Sequence, residues 1–181
     1  MRKAQTQVTR FLASALCTLV VGCGAGATTP VASGHAVASN SRFQLDFSLP
    51  RTDWSTTDSI TGEATLSFLG SGSVSISGSE FIWYEFDEVG GTRHVTPIDD
   101  LICTYRDLSA QKPITSGITK SGGWLPDDPN AGFFQSFFAN PQVRLPVGDW
   151  TITAISSFSE GSCGDSVQTL RASVVVHVTS G

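Results

Sequence analysis

Apolar and polar residues alternate along several short segments of the chain. Such segments run from Phe43 to Leu49, from Ile60 to Phe68 and from Leu170 to Val178. A period of two is typical of strands with one buried face, and turns rich in Gly, Pro and Ser separate the segments. The pattern predicts an all-β fold over residues 42–181: a single antiparallel sandwich of about seven to nine strands.

One segment departs from this alternation. Asp128 is a good helix N-cap, Pro129 suits the first helical position, and Asn140-Pro141 supplies a stop. Between them four phenylalanines recur at helical spacing: Phe133, Phe134, Phe137 and Phe138. A short helix near 129–139 is the favoured prediction, and a strand is the alternative, since short apolar runs fit both.

A tight turn precedes the longest alternating strand. Pro146 and Gly148 allow the chain to reverse, and Trp150 then begins the strand on its inward face. This turn resembles the Gly-x-Tyr-x-Cys corner of immunoglobulin-like domains, with Trp150 at the tyrosine position and Ile152 at the second cysteine. The resemblance implies an immunoglobulin-like sandwich, without the usual cysteine bridge between its sheets.

The first residues have the pattern of an export signal. Arg2, Lys3 and Arg10 precede an apolar run over 11–22 that is too short to span ~30 Å of hydrocarbon as a helix. The end of the run, Val20 to Cys23, resembles the bacterial lipobox, which implies lipidation of Cys23 and a bacterial lipoprotein anchored in the cell membrane or outer membrane. The alternative is ordinary signal cleavage nearby. We predict a signal peptide over 1–22.

The composition of the exported chain predicts a flexible tether and a negative net charge. Residues 23–41 are mostly small, without periodicity, which predicts a flexible tether. Three of the 11 basic residues lie in the leader, so the mature chain keeps eight against 16 acidic ones, a net charge of about −8. This charge argues against nucleic acid or an anionic membrane surface as a partner. The expected membrane contact is the lipid anchor.

The cysteines divide by compartment. Cys103 and Cys163 are the only pair in the exported part apart from the lipid acceptor, and export places them in an oxidising location. We predict that they form a disulfide. The alternatives are a metal pair or a reactive thiol, and both need neighbours that are absent: two sulfurs make half a zinc site, and no histidine stands at ligand spacing. No cofactor is predicted.

Motifs for common chemistries are missing from the mature chain: it has no Gly-x-Ser-x-Gly elbow, phosphate-binding glycine loop or His-Glu-x-x-His helix. Asp99-Asp100 and Asp127-Asp128 could bind calcium if they converge, although turn or capping roles fit them better.

These features predict a non-catalytic interaction module of the cell envelope, with a protein or glycan partner. Its candidate binding surface consists of the aromatic residues predicted in loops or the short helix: Trp54, Trp124, Phe133 and Phe134. Exposed large aromatics often dominate binding. The alternative is that they plug the ends of the core.

Two further functions remain open. The strands beginning at Phe43 and Ile60, with the Leu-Pro-x-Gly turn, look like the sandwich of the bacterial intracellular proteinase inhibitor family, which implies regulation of a protease. An exported enzyme with a site on its loops would instead need a cleft lined by His94 or by the acidic pairs.

Overall fold

The computed structural model describes residues 33–98 and 102–181, which form two packed sheets and one short helix. In chain order the elements are β1 (Gly34–Ser39), β2 (Phe43–Leu49), β3 (Asp53–Ser55), β4 (Glu63–Phe68), β5 (Ser73–Gly78), β6 (Trp83–Glu88), β7 (His94–Val95), β8 (Thr104–Ser109), β9 (Ile114–Gly117), α1 (Ala131–Ala139), β10 (Gly148–Glu160) and β11 (Gln168–Thr179). The predicted all-β sandwich is confirmed.

The smaller sheet has the order β1-β2-β4-β9 and is antiparallel throughout. In the larger sheet β10 pairs with β11 along one edge. Along its other edge β10 pairs first with β6 and then, at its last two residues, with β5. The short strands β7 and β3 flank this sheet, and β3 runs parallel to β11.

The described residues hold eleven strands, more than the sequence predicts. One strand that alternation does not predict is β3, which has only three residues. A strand of that length has too few positions to show a period of two. It is held in place by its neighbour in the sheet.

The sandwich also begins earlier than predicted. The tether was expected to reach residue 41, but Gly34–Ser39 is a strand paired with β2, with Ala36 opposite Phe47. Ala36 and Ala38 are small, so their contact with the core gives only a weak hydrophobic pattern. The earlier tether residues, and Cys23 with the signal peptide, lie outside the described part of the chain.

The core lies between the sheets, and one polar contact crosses it. Tyr84 is buried on β6 and donates a hydrogen bond of 2.6 Å to the Ser116 carbonyl on β9. Burial raises the pKa of the Tyr84 phenol to about 12. The hydroxyl therefore stays protonated and keeps donating between the sheets.

Trp150 occupies the predicted corner. Gly148 has φ +138°, which favours glycine, and the strand begins there. The Trp150 side chain is fully buried, and its Nε1 donates to the Pro146 carbonyl at 3.0 Å. The indole thus bonds back to the backbone four residues upstream, much as the hydroxyl of a tyrosine corner does.

The predicted helix is present as α1, but it begins at Ala131 and Asn130 is its N-cap residue. Asp128 instead caps a turn before it, accepting the Asn130 N–H through its side chain and the Ala131 N–H through its carbonyl. At the other end, Lys120 Nζ donates to the Phe137 and Gln142 carbonyls. A cation there suits the negative end of the helix dipole.

Cys103 and Cys163 form the predicted disulfide, with their Cα atoms 6.0 Å apart. The bond joins the chain just before β8 to the loop between β10 and β11. No helix in the described segments is long and apolar enough to cross a bilayer.

We expect Trp150→Phe to lower the free energy of unfolding by about 2–3 kcal/mol, because it leaves the Pro146 carbonyl without its donor and opens a gap in the core. The measurement is urea unfolding. Trp124→Phe, which changes a partly exposed indole, is the matched control and should cost less than about 1 kcal/mol. Equal losses in the two variants would contradict a structural role for the Trp150 bond.

Replacing both bridged cysteines with alanine should destabilise the fold by up to about 4 kcal/mol, since the bond closes a loop with a sequence separation of 60 residues. Urea unfolding of this variant beside the oxidised wild type gives the value. An unchanged unfolding midpoint would show that the bridge contributes no stability.

A candidate ligand-binding groove around Trp83

The aromatic surface that the sequence predicts is largely part of the core. Trp54 is 4% exposed and Phe134 is 7% exposed. The Arg51 guanidinium covers the Trp54 ring at 4.1 Å, and the Trp54 indole donates to the Arg51 carbonyl. Neither aromatic presents a surface to a partner, because each fills an end of the sandwich. For these two residues the core-plugging interpretation is correct.

The other two predicted residues differ from each other. Phe133 is half-buried and stacks on Trp150, with the ring centroids 5.7 Å apart. Trp124 is 39% exposed and stacks on Phe138 at 6.0 Å. Of the four predicted residues, Trp124 alone leaves a substantial part of its ring in solvent.

A concave site with an exposed apolar rim lies on the outer face of the larger sheet, at the end of β10. The β6–β10 register sets Trp83 opposite Ile155, and the β5–β10 register sets Ser77 opposite Ser159. Trp83, Ser77 and Ser159 border a cavity of about 270 Å³. We call this cavity the Trp83 groove. It is lined by Ser77, Gly78, Ser79, Trp83, Ile102, Cys103, Ser157, Phe158, Ser159, Cys163, Gly164 and Val167.

The groove exists because two loops stand beside the sheet. Outward positions of an antiparallel strand usually face water, yet Ile155 and Ser159 on the outer face of β10 are buried. The disulfide holds Cys103 and Cys163 at this place, and both cysteines line the groove. Ile102 and Val167 next to them are exposed. The result is an apolar rim on a covalently fixed frame.

The groove also contains a polar group without a partner. Ser77 is 1% exposed, and its Oγ has no hydrogen-bond partner in the described part of the chain. Buried hydroxyls are normally bonded, and an unbonded one costs free energy. A few polar groups in a mostly apolar cavity are typical of ligand sites. The rest of the lining is mostly apolar and favours a ligand with an apolar part.

A second cavity, of about 260 Å³, adjoins the first and shares Trp83 and Ser157 with it. Glu85 and Arg171 line this part and form an ion pair across the sheet. Together the two cavities flank Trp83 on both sides, so its indole is available to a ligand lying along the sheet.

Ion pairs between histidine and aspartate mark the other end of the same sheet face. His94 Nδ1 lies 3.0 Å from Asp87, its direct neighbour in the register. His177 Nδ1 pairs with Asp149, its neighbour between β10 and β11. The hydrogen bond that the His177 ring donates to Asp149, with the charges of Asp149 and Asp53, raises the pKa of His177.

The groups that an enzymatic site on the loops would need lie in different places. Neither His94 nor the Asp127-Asp128 pair lines the Trp83 groove. Among the described residues, no group of three or more His, Cys, Asp or Glu side chains is placed to hold a metal ion. Asp99 and Asp100 lie outside the described residues.

Sequence reasoning did not select Trp83 as a site residue. The segment from Phe81 to Asp87 has apolar residues on both faces, which is also the pattern of a central strand. The usable signal is a tryptophan on the same face of the strand as the acidic residues Glu85 and Asp87.

No protein-family model matches the chain, and no curated protein is significantly similar to it. The function is therefore inferred from the geometry and chemistry of the Trp83 groove.

We expect Asp149→Asn to lower the pKa of His177 toward its ordinary value, because it removes the charge and the main hydrogen bond that favour the protonated ring. With a raised folded-state pKa, His177 stabilises the fold below about pH 6.5, and this contribution is lost as the pH rises through the folded-state pKa. An NMR titration measures the pKa directly. Asp46→Asn, beside His35, is the control and should leave His177 unchanged.

Proposed function

We propose that the protein is an exported, lipid-anchored, non-catalytic binding module of the cell envelope, and that its Trp83 groove receives a protein partner. The observation that carries the proposal is the groove itself: a half-buried indole and an unpaired buried hydroxyl, beside exposed Ile102 and Val167 on a disulfide-fixed frame. Exposed apolar groups around a pocket mark interaction sites on soluble domains.

The orientation of the chain supports this role. Gly34 lies against Val174, which pairs with Ile152, whereas the bridged Cys163 follows Glu160 at the far end of β10. The residues from Ile152 to Glu160 span roughly 25 Å as a strand. The described chain thus enters the sandwich well away from the disulfide, so an anchor on Cys23 would be joined to the sandwich at a distance from the groove.

The lipid anchor can be tested by the intact mass of the protein isolated from membranes. We expect a chain that begins at Cys23 and carries acyl groups, since one acyl chain alone gives only marginal binding and stable anchoring takes more than one. Cys23→Ala should release the protein from the membrane fraction. A wild-type mass without lipid would contradict the anchor and leave the groove argument intact.

Binding through the groove can be tested with a photo-reactive amino acid placed in the chain in living cells. At Ile102, which is exposed and lines the groove, we expect a discrete cross-linked product that disappears when Trp83→Ala is added. Val175 is the matched control, because it is exposed on β11 but is not a lining residue of the groove. Equal cross-linking at both positions, or none at Ile102, would contradict the proposal.

A further inference from the structure

We infer that the Trp83 groove selects a basic segment of its protein partner, in which an apolar side chain enters the groove and flanking lysine or arginine residues contact carboxylates at the rim. This inference rests on the proposed function and adds the chemistry of the partner.

Three exposed acidic residues stand around the groove. Glu80 directly follows the lining residue Ser79, and Asp165 directly follows the lining residue Gly164. Asp107 is opposite Ser75 in the β5–β8 register, two residues from Ser77 on the same face of the strand. None of the three carboxylates forms an ion pair within the described ranges 33–98 and 102–181.

Positive charge near the groove offsets only part of this. Arg106 is exposed and is the chain neighbour of Asp107, so it lowers the negative charge at that carboxylate. Arg171 lines the adjoining cavity and is bound to Glu85. No lysine or arginine lines the Trp83 groove. The apolar opening is therefore bordered mainly by the negative charge of Glu80 and Asp165, and a partner of positive charge gains attraction that a neutral or acidic one lacks.

The lining itself suits an apolar side chain of a bound peptide segment. Trp83, Phe158, Ile102 and Val167 provide apolar contact, and an aromatic ring can pack on the indole. A neutral glycan would stack on the indole but gain nothing from the three carboxylates.

The test uses three fluorescent heptapeptides with blocked ends and a central phenylalanine flanked on both sides by lysine, serine or glutamate. They are titrated against the whole mature chain by fluorescence anisotropy. We expect the lysine peptide to bind roughly tenfold more tightly than the serine peptide, because two or three exposed ion pairs contribute modestly each. The glutamate peptide should bind most weakly. The affinity advantage of the lysine peptide should shrink when the NaCl concentration is raised from about 50 to about 500 mM, because the Debye length then shortens to roughly 4 Å.

Variants of the protein separate the contribution of the rim carboxylates from that of the apolar lining. The double variant Glu80→Gln with Asp165→Asn should reduce the affinity of the lysine peptide to that of the serine peptide and leave the affinity of the serine peptide unchanged. Trp83→Ala should lower the affinity of both peptides. Asp127→Asn is the control, since Asp127 is exposed and neither it nor its chain neighbours line the groove.

Equal affinities of the lysine and serine peptides would overturn the inference, as would a lysine advantage that survives the double variant or tighter binding of a neutral oligosaccharide. If these results occur while the Ile102 cross-link in cells persists, the groove binds a partner of another chemistry and only this inference fails. If the cross-link is absent too, the proposed function fails with it.

Discussion

The pairing of β10 along both of its edges is the constraint on which the rest of the structure depends. With 13 residues it is the longest strand, and it holds β11 on one side and β6 followed by β5 on the other. Its inward face carries Trp150, Ile152, Ala154 and Phe158 into the core. Because β6 and β5 share one edge of β10, they meet near Ile155 and Ser159, where the Trp83 groove lies.

The two ends of β10 are closed in different ways. At its start the Trp150 indole bonds to the turn before it, and α1 packs over the opening through Phe133 and Phe137. At its end the hairpin to β11 is joined to β8 by the disulfide. Aromatic packing thus seals one end, while the covalent bond fixes the loops at the other end and leaves an open cavity beside them.

Much of this arrangement could be predicted from the sequence. Alternation located most of the strands, the Pro146–Gly148 turn located the corner, and compartment reasoning paired Cys103 with Cys163. β1 was missed because alanine gives little hydrophobic contrast.

The site was less predictable, because it depends on distant segments. Trp54 and Phe134 have the residue type of a binding surface, and only the packing of the ends shows that they are core. Trp83 acquires its role from Ile102 and Val167, which the disulfide brings beside it across the chain. Neither local propensity nor spacing contains that information.

The most direct measurement of the groove as a binding site is an amide and indole NMR map of the isotope-labelled chain, recorded with and without envelope proteins from the cells that produce it. Changes confined to the Trp83 indole and the amides of Ile102, Ser159 and Val167 are the result expected from a partner seated in the groove. Changes centred on Trp124 and Leu125 instead, or a spectrum unchanged at Trp83, would contradict it and move the site to another surface of the sandwich.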